Sequence, residues 1–165
     1  MIGTLFFGHI GITVFLGAFL FLPYLFVAIG SLLPDFIDKG LLLLGLSNYS
    51  RLYAHNMFFG PIVSLAVYAI TKRKDISLAV LFGSYLHLLE DVRTPVPWLW
   101  PFVNYNLIPA TGIKVAADMF DIFLETIGLS LLAISFVFEK NIMLVRERML
   151  VWTKDFYDKR FAKKI

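Results

Sequence analysis

Long apolar runs broken by short polar clusters dominate the chain. Residues 1–34 contain no Asp, Glu, Lys or Arg, and Pro23-Tyr24 divides this run into predicted helices at about 4–21 and 25–38. Further apolar stretches predict helices over 55–71, 76–91 and 116–138. Residues 94–113 are also uncharged, but prolines at 95, 97, 101 and 109 exclude one regular helix and favour an interfacial or re-entrant loop. The pattern predicts an all-α, polytopic membrane helix bundle of about five helices.

The composition supports a membrane location. The chain has 165 residues, of which 59% are hydrophobic and 16% charged, whereas soluble domains average about 45–50% and about 25%. This excludes a disordered chain, a fibrous protein and an ordinary cytosolic enzyme. The net charge of +3 does not indicate nucleic-acid binding, because the basic residues lie in two short blocks. The absence of cysteine excludes thiolate metal ligands and a cysteine nucleophile.

The basic residues predict the topology. The turn at 72–75 carries three of them and the segment from 139 carries eight, against four in the loops on the opposite side. The positive-inside rule then places the turn and the C-terminus in the cytoplasm and the N-terminus outside. We expect a membrane bundle over residues 1–138 and a basic amphipathic cytoplasmic tail over 139–165. The segment ends that carry Asp35, His55 and Asp91 fall on the outer side.

All three histidines, His9, His55 and His87, lie within or at the end of apolar segments. His87 and Asp91 are four residues apart, so on a helix they share one face. That spacing suits two ligands of one metal ion, since imidazole and carboxylate both bind Zn²⁺. The alternative is a structural histidine–carboxylate hydrogen bond at a helix end.

Two further groups of polar residues are candidates for the same site. Asp35 and Asp38 follow the uncharged run, and the alternative for them is a pair of interfacial carboxylates, with Asp38 ion-paired to Lys39. Arg51, four residues before His55, is suited to binding an anion such as phosphate, or else extends towards the headgroup layer.

An acidic stripe runs along the last predicted helix at Asp118, Asp121 and Glu125. A carboxylate in the apolar zone is costly, about 2.5–3.5 kcal/mol on insertion scales. A metal ion or buried cation would offset that cost, and we count Asp121 and Glu125 among the candidate ligands. The alternative is that these carboxylates are protonated or face a water-filled cavity. Since every buried polar group needs a partner, one shared metal centre would satisfy the whole set.

The order of these motifs resembles the LexA-regulated, membrane-bound metal-dependent hydrolase family (YdjM-like), which is similar to zinc-dependent phospholipase C. The pattern starts with an early histidine and a Pro-Asp turn, continues with Arg-x-x-x-His and Gly-x-x-x-His-x-x-x-Asp, and ends with Thr-Pro and Trp-Pro. The matching residues are His9, Pro34-Asp35, Arg51 with His55, Gly83 with His87 and Asp91, Thr94-Pro95 and Trp100-Pro101. The resemblance covers about residues 1–102. It implies that His9, Asp35, His55, His87 and Asp91 are metal ligands.

The expected function is hydrolysis of a phosphoester in a phospholipid or lipid-linked substrate by a metal-activated water. We expect one to three divalent ions, zinc first among them, and the number of ligands favours two. Glu90 or Asp38 is a candidate general base, and Arg51 a candidate substrate contact. The alternatives are a small metal-ion or proton transporter, and a structural membrane protein whose polar residues pair with each other.

Overall fold

The computed structural model of the protein describes residues 6–110 and 119–161. Over these residues the fold contains five α-helices, one 3₁₀ turn and no strand, which confirms the predicted all-α class. The helices are α1 (Phe6–Phe19), α2 (Tyr24–Leu43), α3 (Phe59–Thr71), α4 (Lys74–Glu90) and α5 (Met119–Phe161), and the 3₁₀ turn is Asp91–Arg93. The expected helix starts at 4 and 116, Asp118 and the last four residues lie outside the described residues.

Helix α2 is longer than the predicted 25–38, because its two carboxylates do not end it. The helix continues through Pro34 to Leu43. Asp35 forms an ion pair with Lys39 one turn later on the same helix. The partner of Lys39 is therefore Asp35, and the alternative of an ion pair between Asp38 and Lys39 is not borne out.

Helix α3 begins at Phe59, four residues later than predicted. The segment 44–58 before it is irregular, so Arg51 and His55 do not share a helical face. The physical reason is that the backbone N–H groups of residues 52–54 donate to the Asp38 carboxylate instead of to helical carbonyls.

Helix α5 does not stop at residue 138 but continues unbroken to Phe161. Its length is about 65 Å, at about 1.5 Å per residue. Within the described residues, the stretch Met119–Phe138 is the one helical segment long and apolar enough to cross a membrane. Phe6–Phe19 and Phe59–Thr71 are apolar but shorter, so the expected number of about five spans is not confirmed.

The helices alternate in direction along the chain. Gly17 on α1 lies against Val27 on α2, and Thr13, one turn earlier, contacts Ser31, so α1 and α2 are antiparallel. Helices α3 and α4 are antiparallel too, joined by a tight turn at residues 72–73.

Glycines allow two pairs of helices to cross at very short distance. A Cβ atom on Gly11 would lie 1.8 Å from the carbonyl oxygen of Gly128, and one on Gly30 would lie 2.4 Å from that of Val80. The Gly11 contact fixes α5 against α1, and the Gly30 contact fixes α2 against α4. Small residues at such crossings let two backbones approach closely, as is common in membrane bundles.

This arrangement gives the bundle two distinct ends. The start of α1, the last turns of α2 and α4 and the segment 44–58 meet at one of them, which we call the site end. The connections at residues 20–23 and 72–73 lie at the other, which we call the turn end.

The proline- and tryptophan-rich segment has no regular helix over residues 94–110, as its prolines predict. It packs on the segment 44–58 at the site end. The backbone N–H of Met57 donates to the carbonyl oxygen of Trp98 at 3.0 Å, and the rings of Tyr53 and Trp100 meet edge to face, 5.2 Å apart. The segment therefore forms a wall beside the polar residues of that end.

Candidate metal centre

Four side chains from four parts of the chain converge at the site end. Asp35 comes from α2, His55 from the segment 44–58, His87 from the last turn of α4 and Asp91 from the 3₁₀ turn. Each offers one ligand atom, and these atoms all lie within 4.8 Å of one another. Three of the four residues are buried and Asp35 is partly exposed.

The distances between the ligand atoms match a tetrahedral site. The two Nε2 atoms of His55 and His87 are 3.2 Å apart, and the four contacts between these nitrogens and the oxygens Asp35 Oδ1 and Asp91 Oδ2 measure 3.4, 3.4, 3.6 and 3.8 Å. A zinc ion with ligands at about 2.0–2.1 Å makes a tetrahedron with edges of about 3.3–3.4 Å. Five of the six distances among the four atoms are thus close to those that one ion requires, and the sixth, between the two oxygens, is within 4.8 Å.

Neither carboxylate oxygen of this group accepts a hydrogen bond. Asp35 Oδ1 and Asp91 Oδ2 are buried without a hydrogen bond. Burying a carboxylate oxygen that accepts no hydrogen bond is unfavourable. Asp91 Oδ2 has the Arg51 guanidinium 3.1 Å away, but both oxygens belong to the same group of four ligand atoms, so the donor set fits a divalent cation there.

Asp38 lies behind His55 and holds its ring. The Asp38 carboxylate is fully buried and accepts the backbone N–H groups of Leu52, Tyr53 and Ala54 at 2.7–3.0 Å. It also accepts Nδ1–H of His55 at 2.8 Å. Such a bond fixes the imidazole tautomer and turns the lone pair of Nε2 towards the metal position. With both oxygens engaged, Asp38 has the surroundings of a positioning residue rather than of a general base.

Glu90 holds His9 in a similar way. Nδ1 of His9 hydrogen-bonds to Glu90 Oε2, and the hydroxyl of Thr13 donates to Glu90 Oε1 at 3.1 Å. Nε2 of His9 is then directed towards Asp91 Oδ1, 3.6 Å away, and is buried without a hydrogen bond. His9 therefore borders the four-residue group through Asp91.

Arg51 neutralises part of the acidic charge. Its guanidinium lies 3.1 Å from each oxygen of Asp91 and is almost completely buried. Its Nε–H has no hydrogen-bond acceptor. Arg51 and His55 thus reach the same carboxylate, although the segment that carries them is not helical.

With the histidines neutral, as metal ligands must be, the charges of the site do not balance without a further cation. Four carboxylates face two cationic side chains, which leaves two negative charges when the histidines are neutral. A divalent ion would cancel that excess. The carboxylates are Asp35, Asp38, Glu90 and Asp91, and the cations are Lys39 and Arg51.

A comparison with known protein families shows which family this chain belongs to. The model of the YdjM inner membrane protein family matches residues 4–154. The chain belongs to that family. No curated protein and no solved structure matches it significantly. Membership confirms the family resemblance and an inner-membrane location with a lipid environment, and the converging ligand atoms lie within the matched range.

Two acidic residues that the sequence offered as ligands lie elsewhere in this YdjM-family chain. Oε2 of Glu125 accepts the backbone N–H groups of Phe7 and Gly8 at 2.8 and 3.2 Å. These are first-turn amides of α1, which have no partner within their own helix. Glu125 therefore caps α1 from α5, and Asp121, one turn before it, is also outside the four-residue group.

Thr13 is the contact of the site that sequence reasoning missed. It sits inside an apolar helix and donates to Glu90, 77 residues away in the chain. No local pattern marks it, because a threonine in an apolar helix usually donates its hydroxyl to its own backbone.

Proposed function

We propose that this YdjM-family protein is a membrane-bound metal-dependent hydrolase that cleaves a phosphoester of a phospholipid or lipid-linked substrate. The observation that carries the proposal is the set of four ligand atoms within 4.8 Å of one another, two of them buried carboxylate oxygens that accept no hydrogen bond. Carboxylate oxygens and imidazole nitrogens are both common zinc ligands, and tetrahedral coordination is the usual geometry of zinc. The likeness to zinc-dependent phospholipase C belongs to the same proposal.

The site contains metal ligands and a separate contact for the substrate. Asp35, His55, His87 and Asp91 hold the ion, which when bound supplies a Lewis acid that lowers the pKa of water to about 7. Arg51 keeps Asp91 in place, and its free Nε–H is a donor for a phosphoryl oxygen.

Glu90 is the carboxylate best suited to moving a proton. Its side chain is 15% exposed, whereas that of Asp38 is completely buried. It is also coupled to His9, so a proton taken up at Glu90 can be shared with Nδ1 of that ring. Asp38 acts through His55.

A second ion would take His9 and Asp91 as ligands. Nε2 of His9 has no hydrogen bond and lies 3.6 Å from Asp91 Oδ1, while Asp91 Oδ2 belongs to the four-residue group. Nε2 of His9 and Oδ1 of Asp91 would hold the second ion, which would supply charge stabilisation for the leaving oxygen. This supports the expectation of two ions.

The position of the site favours a lipid-linked substrate at the outer face. The basic turn at 72–75 is at the turn end, so the positive-inside rule directs the site end outwards. Asp35 is the most exposed ligand, and the next residue, Phe36, has 79% of its side chain exposed to the surroundings of the bundle. A substrate headgroup would therefore enter beside α2, from the lipid.

The test combines metal analysis with turnover. Full-length protein purified in detergent is analysed for bound metal, and a panel of phospholipids and lipid-linked phosphoesters is assayed with and without chelator. Asp35→Asn should lose metal and turnover, and the same change at the exposed Asp75 should alter neither. Wild-type protein without bound metal, or with turnover that survives the chelator, would refute the proposal.

A metal-ion transporter, the alternative function, would give a different experimental result. The same buried ligand set would then bind cargo, and reconstituted vesicles would show uptake of the ion without hydrolysis of any phosphoester. The convergence of all four ligands at one end of the bundle favours a one-sided site.

A further inference from the structure

An apolar cavity opens at the turn end and extends along α1 as far as Ile10, the residue after His9. It has a volume of about 750 Å³ and is lined mainly by α1, the start of α2 and α5. Ala18 in its wall is about 14 Å from His9 along the axis of α1, at about 1.5 Å per residue. Pockets that hold a drug-sized ligand are about 300–1,000 Å³. The space is large enough for an extended apolar chain.

Helix α5 sets the depth of this cavity in the membrane. Leu132 and Phe136 line it and lie in the last two turns of the apolar stretch Met119–Phe138. The first charged residues after that stretch are Glu139 and Lys140. The cavity is thus inside the hydrocarbon layer, directly below the headgroup level.

Basic residues adjoin the opening of the cavity. Arg73 and Asp75 line it, and Arg73 donates to both oxygens of Asp75 at 3.3 and 2.6 Å, which holds the guanidinium at the opening. Lys72 and Lys74 flank Arg73, are exposed, and form no ion pair within the described part of the chain. Three cations against one carboxylate leave two positive charges at the headgroup level.

We propose that this cavity binds an anionic phospholipid, with an acyl chain between α1, α2 and α5 and the phosphate at residues 72–74. In a bilayer the apolar space is filled by lipid, and the excess of positive charge selects a lipid with net negative charge. Clusters of Lys and Arg at a membrane surface attract anionic lipids in this way. Residues 72–74 lie at the opposite end of the bundle from the metal ligands, and the proposal does not depend on the proposed hydrolysis.

The first experiment measures the choice of headgroup. Full-length protein in a mild detergent is titrated with phosphatidylglycerol or phosphatidylcholine of identical acyl chains, and retained lipid is counted by native mass spectrometry. We expect clear preference for phosphatidylglycerol. Lys72→Gln and Lys74→Gln should each weaken its binding about fivefold, the usual effect of one cation at an anionic surface. Arg93→Gln removes the same charge at the site end and should leave binding unchanged.

The second experiment measures the role of the cavity. Ala28→Phe fills it from α2, whereas Ala66→Phe adds the same ring to the exposed face of α3. Only Ala28→Phe should reduce retention of phosphatidylglycerol. Equal retention of the two lipids by the wild type, or wild-type retention by a monodisperse Ala28→Phe protein, overturns the proposal. Should Ala28→Phe not fold, the exposed lysine variants decide the question.

Discussion

Replacing Asp38 by Asn tests whether this buried carboxylate acts by orienting His55. The carboxylate accepts four hydrogen bonds, two at each oxygen. The amide keeps one oxygen, so two of the four donors lose their acceptor in either orientation of the side chain. When the NH₂ group faces His55, Nδ1 of the ring must accept and the proton moves to Nε2, the atom that points at the metal position.

The expected loss of metal affinity follows from that change of tautomer. Removing a carboxylate that holds a ligating histidine lowers metal affinity about 10–100-fold, which corresponds to about 1.4–2.7 kcal/mol of binding free energy. We expect Asp38→Asn to weaken zinc binding by that factor, measured by competition with a chelator of known affinity. The unpaired amides of residues 52–54 should also lower the free energy of unfolding, by about 1–3 kcal/mol, so circular dichroism must show that the variant is folded.

Two controls distinguish a lost orientation of the His55 ring from a general destabilisation of the fold. Asp75→Asn makes the same chemical change at an exposed turn and should keep wild-type affinity. In a His55→Ala background, Asp38→Asn should have no further effect on affinity, because the residue through which it acts is gone. The reasoning is refuted if folded Asp38→Asn binds zinc like the wild type, or if its effect is equally large without His55.

Three other predictions concern the ion, the cap and the helix crossing. Metal removal by a chelator should lower the melting temperature, since it leaves two buried negative charges unbalanced; an unchanged melting curve would contradict the charge count. Glu125→Gln should cost about 0.5–2 kcal/mol of unfolding free energy without changing metal content, and loss of metal would show that it is a ligand after all. Gly11→Ala should destabilise the bundle in thermal unfolding, because the added Cβ would clash with the backbone of α5. Gly40→Ala is the control, since a Cβ there meets nothing, and it should be neutral or stabilising by up to about 1 kcal/mol. Equal effects of the two variants would argue against the close crossing.

Local periodicity accounts for the parts of the site that the sequence predicts well. His87 and Asp91 are four residues apart, and the helix and its final turn bring both to one face as that spacing requires. Asp35 and Asp38 are three residues apart, yet one faces the metal position and the other faces the backbone of residues 52–54. Spacing therefore places both carboxylates at the site but does not assign their roles.

The sequence by itself determined the helical class, the apolar segments and the set of polar residues at stake, because hydrophobic periodicity and the cost of burying charge are local properties. Only the tertiary structure decided which of those residues meet. The depth and rotation of each helix depend on contacts between distant residues, such as Gly11 against Gly128, and these contacts carry no local signal. These contacts place Glu125 beside the first backbone N–H groups of α1, and they place His55, from an irregular segment, against His87.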